Sequence, residues 1–481
     1  MSDAIIAPAH RSVNRTPLRL RARFVLTDRG ILEDAVVTVA DGRILGVAGN
    51  IAGPVDEDLG EAALVPGLIN AHSHAFQRAL RGRTEHLRAD RPDEDFWSWR
   101  DLMYRTALTL EPEDVEVVSS MAFLEMVLGG VTAVGEFHYL HHAPDGRPYA
   151  DPDELAHRVV RAARGVGLRI ALLRVLYHRA GPGRPAEPAQ RRFVDADVET
   201  GLRRAEAIAA AWAHDPAVSV GLAPHSVRAV PRAWLEAVAG ATTGVVHLHA
   251  CEQRAEIAQC RAEHGVDPIA LLDACGLLRP ETTLVHATHL TPEGIARIVE
   301  ARPTICVCPT TERNLGDGFL PAGRLVAGGV PLAVGSDSQA DIDLWSEVRL
   351  IEYQERLRAE RRNVLAAHRS VWAPGPAPDG RLETADVLGP MGTVHGARAL
   401  GVAAGVISVG APADLVALDL NHPRLAGASR ASLAADLVFS AGPACVRAVW
   451  VGGERVVTGG RHERAPEIVG AFKALMRRLN G

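Results

Sequence analysis

The sequence predicts an α/β fold: a (β/α)8 barrel, or TIM barrel, with β-rich segments at both chain ends. Three observations predict it. Eight short apolar runs alternate with amphipathic stretches of helical length across the middle of the chain, and strands alternating with helices make a parallel sheet that closes at eight. The segments on either side have another texture, short β runs divided by turn signals. Histidines and carboxylates gather just after the apolar runs, at the ends where such a barrel carries its chemistry.

Taken in order, RARFVLT, AVVTVAD and RILGVAG fall within residues 18–62 and are separated by Asp-Arg-Gly and Asp-Gly, which read as strands and turns. Barrel strands are expected at 63–70, 132–137, 169–177, 218–224, 244–250, 282–288, 304–310 and 331–336, with helices at 112–129, 151–166, 196–212, 252–264, 292–301 and 341–364. The stretch 151–164 carries acidic residues in its first turn and arginines later, the order a helix dipole favours. Residues 179–193, rich in Pro, Gly and Arg, read as a long loop after the third strand. GVISVG, ADLVALDL, VRAVWVGG and ERVVTGG return to the β texture over 404–460, before a tail helix. The expected divisions are 1–62, 63–395 and 396–481.

Composition excludes several chemistries. The 52 basic residues of this 481-residue chain include one lysine, Lys473. A phosphate loop ending in Gly-Lys-Ser/Thr is therefore impossible, and a carboxylated lysine bridging two metals inside the barrel is excluded with it. A net charge of −6 gives no nucleic-acid footprint. No apolar stretch approaches the ~20 residues of a membrane span, and the first residues lack a signal pattern, so a cytoplasmic protein is expected. The six cysteines form no C-x-x-C pair and read as reduced, buried thiols. H-E-x-x-H, G-x-S-x-G, the Rossmann fingerprint and the H-x-E…P-C-x-x-C deaminase signature are absent.

The polar strand ends carry the positive signal. The first strand ends in Asn70-Ala71-His72-Ser73-His74, the second in Glu136-Phe137-His138-Tyr139, the fourth in His225-Ser226-Val227-Arg228, the fifth in His247-Leu248-His249-Ala250-Cys251-Glu252, the sixth in His286-Ala287-Thr288-His289, and the eighth in Gly335-Ser336-Asp337-Ser338. Residues two apart on a strand share a face, so His72 and His74 can grip one ion. A histidine of the fifth strand and an aspartate of the eighth complete an open site. Three imidazoles and a carboxylate suit Zn2+, with Fe or Mn as alternatives.

These residues resemble the amidohydrolase superfamily. Within it HSHAFQRALRG (72–82), FWSWRDLMYR (96–105), GEFHYLHH (135–142), HSVRAV (225–230), HLHACEQ (247–253), LVHATH (284–289), TTERNLGDG (310–318) and GSDS (335–338) resemble the formimidoylglutamate deiminases of histidine degradation. The resemblance implies a small β-sandwich built from both chain ends and one divalent ion, Zn2+, held by His72, His74, His249 and Asp337. It implies Asp337, His286 and Glu252 as the proton-handling and charge-stabilising groups, with His247 in the core. It implies Gln77, Arg100, Tyr139, His225 and Arg228 as contacts to N-formimino-L-glutamate, a small-molecule dicarboxylate hydrolysed to N-formyl-L-glutamate and ammonia by a homodimer. N-formimino-L-aspartate, or a heterocycle such as guanine or cytosine, is the alternative substrate. Gln339 departs from the resemblance, standing where a histidine commonly follows Gly-Ser-Asp-Ser.

Overall fold

The computed structural model describes residues 17–50, 53–86, 96–367 and 380–480; most of the N-terminal stretch read for a targeting pattern lies outside them. Eight parallel strands follow one another in sequence order: Leu68–Ser73, Val131–His138, Arg169–Leu176, Val218–Pro224, Val246–Ala250, Thr282–His286, Thr304–Val307 and Leu332–Val334. They read as continuous apolar runs because both faces of a barrel strand are covered. A parallel bridge between Ser73 and Asp337 closes the ring: Asp337 N–H donates to the His72 carbonyl and His74 N–H to that of Asp337, each at 3.0 Å.

The intervening helices begin where the chain supplies caps. Asp197 accepts the Thr200 N–H at 2.7 Å to start Val198–Trp212, and Thr291 accepts from Gly294 to start Pro292–Ala301. The helix expected over 341–364 runs Leu344–Ala359, capped by Asp343 and stopped where Glu360 turns left-handed at φ 51°.

Both chain ends meet in a second sheet. Its hydrogen-bonded order is Glu454–Thr458, Val446–Val451, Leu415–Asp419, Ala62–Pro66, Leu18–Thr27, Gly30–Ala40 and Arg43–Ala48. The sheet curls over a core of its own that includes Leu20, Val37, Ile44, Leu64, Leu415 and Trp450. Its edge strand Arg43–Ala48 meets the segment that leads into Leu415–Asp419, where Ile44 N–H donates to the Ala411 carbonyl and Gly410 N–H to that of Ile44.

The structure moves both expected boundaries. The run 63–70 is one apolar stretch in sequence but two strands in space, and residues 63–66 belong to the outer sheet. The chain crosses at Gly67, where a Cβ would meet Thr132 Oγ1 at 2.1 Å. The boundary at 395/396 falls inside the helix Val394–Leu400. That helix closes the barrel floor, packing Ala397 and Leu400 on Ile69, Ala133 and Ala171. GVISVG forms no strand; it is the link that carries Ile407 into the outer core. The expected loop 179–193 is a packed excursion with a short hairpin, and Gln190, Arg192 and Phe193 are fully buried in it. Among the described residues, no helix is long and apolar enough to cross a membrane.

Candidate active site

Four donor atoms converge where the first, fifth and eighth strands end. His72 Nε2 lies 3.2 Å from His74 Nε2 and 3.2 Å from His249 Nε2. Asp337 Oδ1 lies 3.4 Å from His72 Nε2 and 3.2 Å from His74 Nε2. A tetrahedral ion with bonds of ~2.0–2.1 Å has ligand–ligand edges of about 3.3 Å, so the spacing is that of a metal site.

The protonation states agree with this. His74 Nδ1 lies 3.0 Å from the Phe137 carbonyl and His249 Nδ1 lies 3.0 Å from that of His225. A carbonyl only accepts, so both Nδ1 atoms carry the proton and both Nε2 atoms present lone pairs. Burial lowers His72 to about 3 and holds His249 well below the usual imidazole range. Burial alone would raise the Asp337 carboxyl; hydrogen bonds and charge from His72 and His74 outweigh it and keep it well below the usual carboxylate range. Three imidazole nitrogens and a carboxylate oxygen converging on one point are a donor set that fits a divalent ion.

His286 stands at the edge of this group. Its Nε2 faces Glu252 Oε1 at 3.6 Å and Asp337 Oδ2 at 3.8 Å, and its Nδ1 faces Glu312 Oε1 at 3.3 Å. Burial works against its charge, but Glu252, Glu312 and Asp337 raise His286 well above the usual imidazole range. Burial, aided by Asp317, Asp337 and Glu256, pushes Glu252 up to about 8 against the pull of His286. The result is an imidazolium beside a carboxyl that holds its proton at neutral pH.

The strand ends that present these groups are strained. Cys251, His286, Ala287, Asp337 and Gln339 all have left-handed backbone, φ 46–71°, a conformation that costs a non-glycine residue ~1 kcal/mol or more. Gln339, fully buried, donates from Nε2 to Ser73 Oγ at 2.8 Å and to the Asp337 carbonyl at 2.9 Å. It thus ties the eighth strand end to the residue between His72 and His74.

A cavity opens from the converged donors, lined at that end by His74, His249, Glu252, His286 and Asp337 and farther out by Gln77, Arg100, Tyr139, His225 and Arg228. All the residues singled out in the sequence are therefore brought together, with His72 behind the lining. Gln77 Nε2 donates to Tyr139 Oη at 2.8 Å, and its Oε1 is buried with no partner among the described residues. Arg228 is buried, donates to the Ala180 carbonyl at 2.9 Å and bonds to Tyr177. Arg100 lies over the rings of Trp97 and Tyr104 at 4.4 and 5.3 Å, while its Nε and Nη1 are buried without partners among the described residues.

Other histidines are structural. His247 Nε2 bonds to the Ala399 carbonyl at 2.7 Å, and His141 and His142 bond to the carbonyls of Val175 and Val194. Sequence reasoning missed Glu312, Tyr104, Tyr177, Gln190, Glu256 and Asp317. Tyr177, directly after the third strand, was readable by the strand-end rule. Glu312 lies in the first turn of the helix Pro309–Leu315, beyond a strand that ends at Val307, and no polar strand end marked it.

A closed barrel with this donor set and a β-sandwich from both chain ends defines a metal-dependent hydrolase class, and the comparisons agree. The chain matches the Amidohydrolase family over residues 63–456, and it belongs to that family. It is 40% identical over 446 residues to the formimidoylglutamate deiminase of Pseudomonas aeruginosa, covering 92% of this chain and 94% of that protein. Among solved structures it is similar to an amidohydrolase from Brucella melitensis (TM-score 0.87, 35% identity, 96% of this chain and 100% of that one). It is also similar to a zinc-bound adenosine deaminase from Xanthomonas campestris (TM-score 0.77, 26% identity, 96% and 98%).

Proposed function

We propose that the protein hydrolyses N-formimino-L-glutamate to N-formyl-L-glutamate and ammonia, using one divalent ion, Zn2+, held by His72, His74, His249 and Asp337. The observation that carries this reading is the opposed polarity of the cavity. One end presents Arg100, with two buried unpaired donors, and Arg228. The other presents Glu252, Asp337 and the converged imidazoles. A molecule with carboxylates at one end and an amidine at the other fits both. A neutral heterocycle leaves the buried guanidinium donors unanswered, a cost that disfavours it.

A divalent ion, when bound, supplies Lewis acidity and makes water acidic near neutral pH. The chain's own groups do the rest. Asp337, ionised and with Oδ2 3.8 Å from His286 Nε2, can take up the proton released when water attacks the formimino carbon. The His286 imidazolium stabilises charge that develops on the tetrahedral carbon's substituents. Glu252, protonated up to about pH 8, delivers a proton to the departing nitrogen. Gln77 Oε1, an acceptor without a partner, accepts from the amidine N–H. Arg100 and Arg228 hold the carboxylates, for which a guanidinium fork is suited. With this reading go a cytoplasmic homodimer and no nucleic-acid partner.

The test is ammonia release by the zinc-loaded protein from N-formimino-L-glutamate, N-formimino-L-aspartate, guanine and cytosine. Turnover is expected with the first and weaker turnover with the second, whose chain is one methylene shorter. Deamination of a heterocycle with no release from the formimino acids would overturn the reading.

A further inference from the structure

The excursion 179–193 reaches the far end of the cavity through one side chain. Gln190, fully buried, accepts the Glu187 N–H on Oε1 at 2.8 Å. That bond fixes the amide, so Nε2 must face the opposite way, toward two phenols. It lies 2.8 Å from Tyr177 Oη and 3.1 Å from Tyr104 Oη, and the phenol oxygens are 3.3 Å apart. Arg192, donating to the carbonyls of Leu110 and His142 at 2.8 and 2.7 Å, pins the segment in place.

The direction of each hydrogen bond follows by elimination. An amide nitrogen and a guanidinium only donate. Tyr177 Oη accepts from Gln190 and bonds to Arg228, which leaves its own proton for Tyr104 Oη. Tyr104 Oη then accepts from both Gln190 and Tyr177, so its own proton points elsewhere. No acceptor for it exists among the described residues, and Tyr104 lines the cavity beside Arg100. Burial, with Tyr177 beside it, raises the Tyr104 phenol, so the proton stays on. A buried O–H donor without an acceptor is costly, and an anionic ligand removes the cost.

We propose that Tyr104 is a substrate-binding residue whose hydroxyl donates to a ligand carboxylate, and that Gln190 and Tyr177 are positioning residues that force the bond to run outward. The inference rests on the dicarboxylate reading above. It makes the excursion after the third strand a determinant of specificity.

Tyr104→Phe in the zinc-loaded protein is the direct test, since it removes one oxygen and keeps the ring. KM for N-formimino-L-glutamate is expected to rise about tenfold or more, the value of one hydrogen bond to a charged acceptor, with kcat little changed. Turnover of formamidine, which has no carboxylate, should be unaffected. Gln190→Met should weaken KM in the same direction, and should add nothing in the Tyr104→Phe background. An unchanged KM in Tyr104→Phe, or an equal loss with formamidine, overturns the proposal; should Gln190→Met fail to fold, Tyr104→Phe decides alone. Calorimetric binding of glutarate separates this from the function itself. If the wild type releases no ammonia from N-formimino-L-glutamate, the function fails, and weaker glutarate binding by Tyr104→Phe still upholds the donor. Equal binding by both proteins, or none by either, overturns it.

Discussion

The two ends of the cavity are built differently. At the metal end, two of the ligand imidazoles are oriented by backbone carbonyls: His74 by Phe137, His249 by His225. The barrel ladder itself sets the geometry there. At the far end, side chains hold side chains. Gln190 holds Tyr104 and Tyr177, Tyr177 bonds to Arg228, and Arg100 rests on Trp97 and Tyr104. Trp97, Arg100 and Tyr104 come from the helix Phe96–Ala107 and Gln190 from the excursion after the third strand, while Tyr177 and Arg228 follow the third and fourth strands. The contrast suggests a division of labour: a rigid frame fixes the chemistry, and adaptable outer segments choose the substrate.

The largest effects should come from the frame. His249→Ala or Asp337→Ala should release the metal on dialysis against a chelator and lower turnover about thousandfold or more, read by metal analysis and ammonia assay. His286→Ala and Glu252→Gln should retain metal and lower kcat by ~10²–10⁴-fold. Glu252 also sets a pH limb. Its acid form is the active one and persists to about 8. The rate should therefore fall as pH rises past that value, by about tenfold per unit. Glu252→Gln should lose this limb, and a rate that climbs through pH 8–9 in the wild type would remove Glu252 as the acid.

The outer end should respond in KM rather than kcat. Arg228→Ala is expected to raise KM for a dicarboxylate by ~10–100-fold while kcat moves little. Arg228→Lys should rescue poorly, because one ammonium cannot serve the Ala180 carbonyl, Tyr177 and a carboxylate in the guanidinium's fixed planar geometry. If kcat fell with KM unchanged, the division between frame and outer segments would be wrong.

The same contrast decides what was legible in the sequence. Barrel strand ends declare themselves locally: the H-x-H spacing and the Gly-Ser-Asp-Ser segment mark His72, His74 and Asp337 without any three-dimensional knowledge. The choice of His249 over His247 needed the resemblance; in the structure His247 points down to the Ala399 carbonyl. At the far end Tyr139, His225 and Arg228 stand at strand ends and are as legible, but Tyr104 and Gln190 left almost no local mark. Tyr104 sits inside a helix away from any strand end, and Gln190 lies in a Pro- and Arg-rich stretch that reads as solvent-exposed loop. Their roles arise from contacts 73 and 86 positions apart, which no periodicity encodes. The two domain crossings failed for a related reason. Gly67 breaks one apolar run into two sheets by close approach to Thr132, a steric fact invisible in hydrophobicity.

The smallest effect on turnover is expected at Glu136, whose part is in stability: a carboxyl buried behind the metal end and joined to both elements of its frame. Ser73 Oγ donates to Glu136 Oε2 at 2.7 Å and Ala75 N–H donates to Oε1 at 2.8 Å. Burial nevertheless wins over these bonds and pushes Glu136 up to about 8. A free glutamate titrates near 4.3. Between those two values the unfolded chain is ionised at this position while the folded one keeps its proton, so the folded state binds more protons and stability falls as pH rises. Below the lower value both states are protonated, and above about 8 both are ionised, so the slope vanishes outside that window. Glu136→Gln removes the titration. It keeps an acceptor for Ala75 N–H but turns an NH2 toward Ser73 Oγ, which already accepts from Gln339, leaving the serine proton unanswered at a cost of about 1 kcal/mol. The variant should be slightly less stable than the wild type near pH 4 and should overtake it as pH rises from about 5 toward 8, measured by denaturant unfolding of the zinc-loaded proteins. A stability difference that stays flat from pH 5 to 8 would mean that Glu136 is already ionised in the fold.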